Sequence, residues 1–335
     1  MSTASVVTGE FEAVDQQRFA LSEGSRFIGA EAAAAAGFAE QAFICVDIPT
    51  GRLFSTTGEP GAGLHLRADL DVPVGAAART AAGGWIAAAG TSVIRLVQEG
   101  GLLRAGQTLA ELPVANTEDG SASSTAPAQR VNDAVADPHG RFWPGAMGLE
   151  GEEGYGFITR VDPDGQCRRV TDAMTIPNGP AFSADGATMY FAETSQGRIM
   201  RASIDVATGH VAEPELFAQV EEGNPDGMTV DAEGCLWQAV YGGGCVLRYA
   251  PDGSLLEKIS VPARQPTSVA LSAEAPYRVI VTTAAQELES PSGHDGRVIT
   301  APVSVAGRVA DVFAGCPRAP RGSGLRPVMR ITVLG

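Results

Sequence analysis

Three polar residues recur at nearly equal intervals along the chain. They are Asn132 in "RVNDAVADPHGRFW", Asn178 in "IPNGPAFSADGATMYF" and Asp226 in "NPDGMTVDAEGCLW", spaced by 46 and 48 residues. Each is followed by a short apolar alternation, an acid or polar residue with a glycine, and then an aromatic residue. The glycines Gly140, Gly186 and Gly234 keep the same spacing. Taken singly, an Asn or Asp before Gly is a turn residue, because its short side chain bonds its own backbone and tolerates left-handed geometry. Recurrence at a fixed period asks for more. Repeats that stack or close on themselves bring equivalent positions together, and converging amide and carboxylate oxygens suit polar ligands and hard cations.

The elements that must position these residues are short strands. A strand begins at Phe43, Trp85, Phe142, Tyr190, Trp237 and Val279, and most of these units read as two alternating strands joined by a glycine-containing turn. Repeating units of about 40 to 50 residues, with period-2 patterning and no sustained helical period, point to an all-β chain: a six-bladed β-propeller with its site at one end of the central channel. A sandwich need not repeat in sequence, and the coils of a β-helix are far shorter. One alanine-rich stretch, "GAEAAAAAGFAE" from Gly29, has the composition of a short surface helix. Trp85, Trp143 and Trp237 are expected in the blade core, and the "SADG", "DAEG" and "PDG" segments at Ser183, Asp231, Pro163 and Pro251 as tight turns.

Composition narrows the partners. Lys and Arg number 24 against 39 Asp and Glu, a net charge of -15 that repels nucleic-acid backbones and anionic lipid and favours cations and neutral small molecules. The five cysteines, Cys45, Cys167, Cys235, Cys245 and Cys316, form no CxxC pair, and their odd number argues against a disulfide framework, so a reducing cytoplasm is expected. The start lacks the pattern of a signal peptide, and no window has the apolar run of a membrane helix. His65, His139, His210 and His294 are scattered without ligand spacing, which leaves no histidine zinc site.

The segments "RVNDAVADPHGRFWPGAM", "IPNGPAFSADGATMYFAET" and "NPDGMTVDAEGCLWQAVYGGGCVLRY" together resemble the regucalcin and gluconolactonase family, which also takes in luciferin-regenerating enzymes. The likeness extends roughly from Phe19 to Gly315. It implies three parts: an N-terminal extension over 1–18, a lactonase-like six-bladed propeller over 19–315 and a basic C-terminal tail over 316–335. It also implies one divalent ion at the channel mouth, Ca²⁺ foremost, with Zn²⁺, Mn²⁺ or Mg²⁺ as alternatives. The family's ligands fall on Glu23, Asn178 and Asp226, an all-oxygen set. The family's substrate-facing residues fall on Arg130, Asn132 and Glu150, with Glu152 and Glu153 as close alternatives to the last. Where the family has proline and tryptophan after its glutamate, this chain has Ser25 and Phe27.

These residues imply a metal-dependent lactonase of the gluconolactonase-like carboxylic ester hydrolases, acting in carbohydrate metabolism. The cation would polarise the ester carbonyl of a sugar-derived or similar small lactone, and Asp226 would serve as ligand and as orienter or base for water. Cation binding lowers the basicity of Asp226, so activation of the water by the ion weighs more than proton removal. Arg130 either donates charge-assisted bonds to substrate or pairs with Asp133. A non-catalytic propeller that binds calcium or a small ligand is the alternative.

Overall fold

The computed structural model describes residues 5–35, 43–113 and 127–315, and the tail 316–335 with Cys316 lies outside the described residues. Nearly all regular structure is strand, and the fold is all-β and propeller-like. The helix Ala30–Ala35 is the short alanine-rich element expected from composition.

The strands assemble as antiparallel meanders in sequence order. Gln129–Ala136, Phe142–Gly148, Phe157–Val161 and Cys167–Arg169 form one sheet, and Asn224–Val230, Leu236–Tyr241, Cys245–Tyr249 and Leu255–Ser260 form another. Between them in sequence lies a sheet of Pro177–Phe182, Thr188–Glu193 and Arg198–Asp205, with His210–Val211 and Glu215–Gln219 on its outer side. An eight-stranded sheet holds two such meanders, Ser22–Phe27 to His65–Asp69 and Val74–Arg79 to Leu102–Glu111, joined by one parallel pairing of Ala68 with Leu103. In the last sheet Pro266–Leu271, Arg278–Thr283 and Ile299–Pro302 are completed by Glu12–Ala13, which pairs with Ile299 and Thr300. Part of the expected N-terminal extension is thus woven into this sheet.

The first strand of each meander packs on the next in a closed ring: Ser22–Phe27, Val74–Arg79, Gln129–Ala136, Pro177–Phe182, Asn224–Val230, Pro266–Leu271 and back to the first. These inner strands are buried on both faces, whereas an outer strand such as Leu255–Ser260 is largely exposed. Close approach within the ring requires glycine. A Cβ on Gly75 would lie 2.6 Å from the Asn132 carbonyl oxygen, and one on Gly227 would lie 2.8 Å from that of Thr267.

Apolar side chains fill the space between sheets, and Trp85, Trp143 and Trp237 are all buried, as expected. The indole N–H groups of Trp143 and Trp237 each donate to a turn carboxylate, Asp137 and Asp231, at 2.9 Å. The same carboxylates accept from Arg141 and Arg248 at 2.5 and 2.8 Å. These two acid–glycine turns are therefore structural: each acid anchors an arginine and a core tryptophan, and Gly140 and Gly234 close the turns back onto Asp137 and Asp231.

One end of the ring is strapped shut. Gly307, Ala310, Phe313 and Ala314 donate backbone bonds to Ser272, Phe27, Arg79 and Gly140, at or beyond the ends of four different inner strands. A cavity of about 410 Å³ under this strap is walled by Ala77, Ala78, Ala134 and Val309, and none of the expected site residues line it. Those residues sit near the starts of the inner strands, at the opposite end.

Candidate metal and substrate site

Glu23, Asn132, Asn178 and Asp226 lie within inner strands, Asn178 and Asp226 despite the turns that their Asn-Gly and Asp-Gly contexts suggest. The reason is a recurrent β-bulge. Register breaks between Glu23 and Arg26, Val131 and Asp133, Asn178 and Ala181, and Pro225 and Met228. An extra residue in one strand bends it and re-aims a side chain out of the ladder. At Gly24, Gly179, Pro180 and Gly227 the glycine and proline are bulge residues, which is why the local sequence there reads as a turn.

All four side chains are buried. The Asn132 amide nitrogen donates to Asn178 Oδ1 at 2.9 Å and to the Pro177 carbonyl at 3.2 Å, while its oxygen accepts from Arg130 Nη1 at 2.8 Å. The Asn178 nitrogen donates to Thr194 Oγ1 at 2.9 Å, and that hydroxyl donates to the Pro225 carbonyl at 2.8 Å, one residue before Asp226. A chain of amide and hydroxyl clips thus connects Arg130 to the strand of Asp226. Thr194 is a member that sequence reasoning missed. It sits in a one-turn 3₁₀ segment, Thr194–Gln196, with no recurring pattern to mark it.

Glu23 is held from the other side. Thr267 Oγ1 donates to the Ser22 carbonyl, and Ser268 Oγ accepts from the Ser25 N–H at 3.0 Å and bonds the Ser25 hydroxyl at 2.8 Å. Ser25, which departs from the family's proline, is therefore half of a hydroxyl seam that ties the first inner strand to the last on both sides of Glu23.

The electrostatics are unusual for a buried site. Glu23 Oε2 and Asp226 Oδ1 are buried without a hydrogen-bond partner, a costly state for a carboxylate. Burial holds both acids well above the ordinary carboxylate range, Glu23 further raised by Asp226 and Asp133, and Asp226 by Asp133. Arg130 opposes both shifts, and burial in turn lowers its own pKa. Two orphaned carboxylate oxygens are donors that a hard cation would satisfy.

Arg130 does not pair with Asp133. It bonds Asn132 and the Val131 carbonyl, while Asp133 is held by Arg26 at 3.0 Å across the ring. Glu150 stands apart, exposed in the turn after Phe142–Gly148, where its N–H donates to Glu152 Oε2 at 3.1 Å. Glu152 is half-buried with its carboxylate folded over Gly148, and Glu153 is exposed. A second acidic group, Asp231, Glu233 and Cys235, has ligand atoms within 4.8 Å of one another. Its central carboxylate is already engaged by Trp237, Arg248 and two backbone N–H groups, so the orphaned oxygens of Glu23 and Asp226 fit a cation better.

A pH signature follows. Because the folded-state pKa values of Glu23 and Asp226 lie above their unfolded values, the metal-free fold binds more protons than the unfolded chain, and its stability falls as pH rises above the usual carboxylate range, about 4. Chelated protein is expected to show a lower thermal midpoint at pH 7.5 than at pH 5, with the difference reduced in Glu23→Gln and by added Ca²⁺. Identical pH profiles for the chelated wild type and Glu23→Gln would contradict this electrostatic account.

A propeller-like molecule with buried oxygen donors at the end of its ring opposite the strap defines a class, and sequence comparison names it. The chain belongs to the SMP-30/Gluconolactonase/LRE-like family, whose profile matches residues 23–285. It is 31% identical over 283 residues to the 6-deoxy-6-sulfogluconolactonase of Pseudomonas putida, covering 82% of this chain and 92% of that one. It is 39% identical over 166 residues to a pentonolactonase of Haloferax volcanii, covering 49% of this chain and 56% of that protein. A calcium-binding protein of Agrobacterium tumefaciens, regucalcin, superposes with a TM-score of 0.77 at 26% identity, covering 93% of this chain and 99% of the other. Among the described residues no helix is long and apolar enough to cross a membrane.

Proposed function

We propose that this protein is a divalent-metal-dependent hydrolase that opens a sugar-derived or similar small lactone. The observation that carries the reading is the pair of buried, unpartnered carboxylate oxygens on Glu23 and Asp226, acids from distant parts of the chain that lie near enough for Asp226 to raise the pKa of Glu23. The lactonases named among the relatives support the reaction class. In this reading the ring is a six-bladed propeller, the eight-stranded sheet counting as two blades, with residues 19–315 and the Glu12–Ala13 strand as its body and 316–335 as an appended basic tail. A cytoplasmic setting suits the free thiols of Cys45, Cys167, Cys235 and Cys245.

Glu23, Asn178 and Asp226 would hold the ion, Ca²⁺ first among Ca²⁺, Zn²⁺, Mn²⁺ and Mg²⁺. When bound, the cation supplies Lewis-acid polarisation of the ester carbonyl and lowers the pKa of water. The chain's own contribution is orientation and charge. Asp226 orients the attacking water; as a ligand its basicity is lowered, so it contributes orientation more than proton removal. Arg130 points charge-assisted donors at the lactone oxygens, and Asn132, bonded to both Arg130 and Asn178, keeps the substrate side and the ligand side in register. Glu150 reaches the substrate only from the rim, where Glu152 and Glu153 compete for that role.

The test is acid release from glucono-, galactono- and arabinono-lactones by chelated protein reloaded with Ca²⁺, Mn²⁺ or Zn²⁺, beside calorimetry of the same ions. Turnover that returns with metal is expected. Metal affinity without turnover of any lactone would replace the enzymatic reading with the non-catalytic binding propeller that the calcium-binding structural relative favours.

A further inference from the structure

The cavity of about 410 Å³ under the strap owes its room to the sequence of two adjacent inner strands. Val74–Arg79 and Gln129–Ala136 present Ala77, Ala78, Ala134 and Ala136 to it, and the strap adds Val309. Alanine at all four positions leaves space that longer side chains would fill. The volume falls toward the lower end of the range, about 300 to 1,000 Å³, of pockets that hold small molecules. Two of the wall residues, Glu31 and Val309, are exposed, so the cavity reaches the surface.

One polar group on this wall lacks what the others have. Arg79 ends its strand with Nε buried and without a hydrogen-bond partner, and among the described residues its guanidinium makes no hydrogen bond and no ion pair. A donor withdrawn from water without an acceptor costs free energy. Arg26, the other cation on the wall, is already engaged by Asp133 at 3.0 Å and by the Ser25 and Ala134 carbonyls. Arg79 is also fixed at its root. Its carbonyl accepts from the N–H of the fully buried Phe313 at 2.8 Å, and the Phe313 carbonyl accepts from Ala81 at 2.9 Å.

The missing partner is an acceptor, and a planar guanidinium matches a carboxylate with two parallel bonds. Three acids line the same cavity, Glu31, Glu274 and Asp311, and none of them pairs with Arg79. Asp311 lies 3.5 Å from Arg308 instead. Their charge weighs against a dianion such as a phosphate ester and favours a ligand with one negative charge. The alanine walls ask that the rest of the ligand be apolar.

We propose that the cavity under the strap is a binding site for a small organic monocarboxylate, with the carboxylate on the Arg79 guanidinium and the apolar body against the four alanines and Val309. The arrangement is that of a small-molecule pocket, apolar walls with one charged group to fix orientation. None of Glu23, Asn178 and Asp226 lines it. It is a second site at the other end of the ring, and it stands whether or not the protein opens lactones.

The test is titration of the full chain, in the presence of Ca²⁺, with hexanoate, its uncharged counterpart 1-hexanol and the dianion hexyl phosphate, followed by saturation-transfer NMR. Hexanoate is expected to bind the wild type, with 1-hexanol and hexyl phosphate each weaker by about tenfold or more, since a charge-assisted pair is lost or a like charge is added. Arg79→Gln is expected to weaken hexanoate about tenfold and leave 1-hexanol unchanged. Its thermal midpoint should stay close to that of the wild type, because Arg79 gives up no ion pair. Asp226→Ala, altered at the opposite end, should bind hexanoate as the wild type does. Absence of hexanoate binding, equal affinity for hexanoate and 1-hexanol, or hexanoate binding undiminished in Arg79→Gln would overturn the proposal. So would hexanoate binding that disappears in Asp226→Ala, which would place the carboxylate at the other end of the ring. The comparison of the three probes on the wild type needs no variant to fold.

Discussion

Asp226→Ala is expected to lower lactone turnover by on the order of a thousandfold and to weaken divalent-ion binding with it. The magnitude follows from what the residue would contribute. Loss of one charged ligand and water orienter is worth several kcal/mol of transition-state stabilisation, and each 1.4 kcal/mol or so is tenfold in rate. The structural cost points the other way. Asp226 is buried with Oδ1 unpartnered, and burial raises its pKa, so removing it relieves a desolvated charge and the metal-free variant is expected to melt no lower than the metal-free wild type. A variant that loses activity, loses metal affinity and keeps or gains stability separates a functional carboxylate from a structural one. Metal titration by calorimetry, initial rates and thermal melting on the same preparations make the measurement. An Asp226→Ala protein that binds Ca²⁺ and Mn²⁺ as the wild type does, and turns over lactone at the wild-type rate, would remove Asp226 from the site. Asp226→Asn, which keeps the shape and removes the charge, should fall between the two.

The contrast with Asp231 shows how far the sequence alone could go. Both acids stand in a context of glycine and aromatic residues, and both recur: Asp226 echoes Asn178 and Asn132, and Asp231 echoes Asp137. The repeat marks both positions without saying which is used. The difference lies in partners contributed from elsewhere in the chain. Asp231 meets Trp237 and Arg248, whereas Asp226 meets no donor at Oδ1. The propeller-like architecture was legible because its strands are short, alternating and periodic, and the helix Ala30–Ala35 because its composition leaves little choice. The two-residue strand Glu12–Ala13 was not legible, since it exists only through its pairing with Ile299 and Thr300 near the other end of the chain. Thr194 was missed for the same physical reason: it becomes relevant through Pro225, a residue of a neighbouring sheet. Ser25 was read as a departure from the family pattern and is instead compensated by Ser268, 243 residues away.

The largest expected effect on stability belongs to Arg26, which no repeat or motif marked. Arg26 Nη2 lies 3.0 and 3.3 Å from the two oxygens of Asp133 and also donates to the Ala134 carbonyl, while Nη1 donates to the Ser25 carbonyl. The partner carboxylate has no exposed surface. Asp133 also faces two other buried acids, raising the pKa of both Glu23 and Asp226. Its own pKa is raised by burial and pulled back chiefly by Arg26. Removing the guanidinium in Arg26→Leu leaves three buried acids with Arg130 as the remaining nearby cation, and breaking a buried pair by one partner costs roughly 3 to 5 kcal/mol. The double variant Arg26→Leu with Asp133→Asn removes both charges and should recover most of that loss, since a buried ion pair often contributes little net stability against neutral groups of similar volume. Denaturant unfolding of the two single variants and the double variant closes the cycle. Additive losses would mean that the Arg26–Asp133 contact carries no coupling, and that the floor beneath the carboxylates is held by packing alone. A coupling of several kcal/mol would instead make this ion pair the element that offsets the buried charge of Asp133 beneath Glu23 and Asp226.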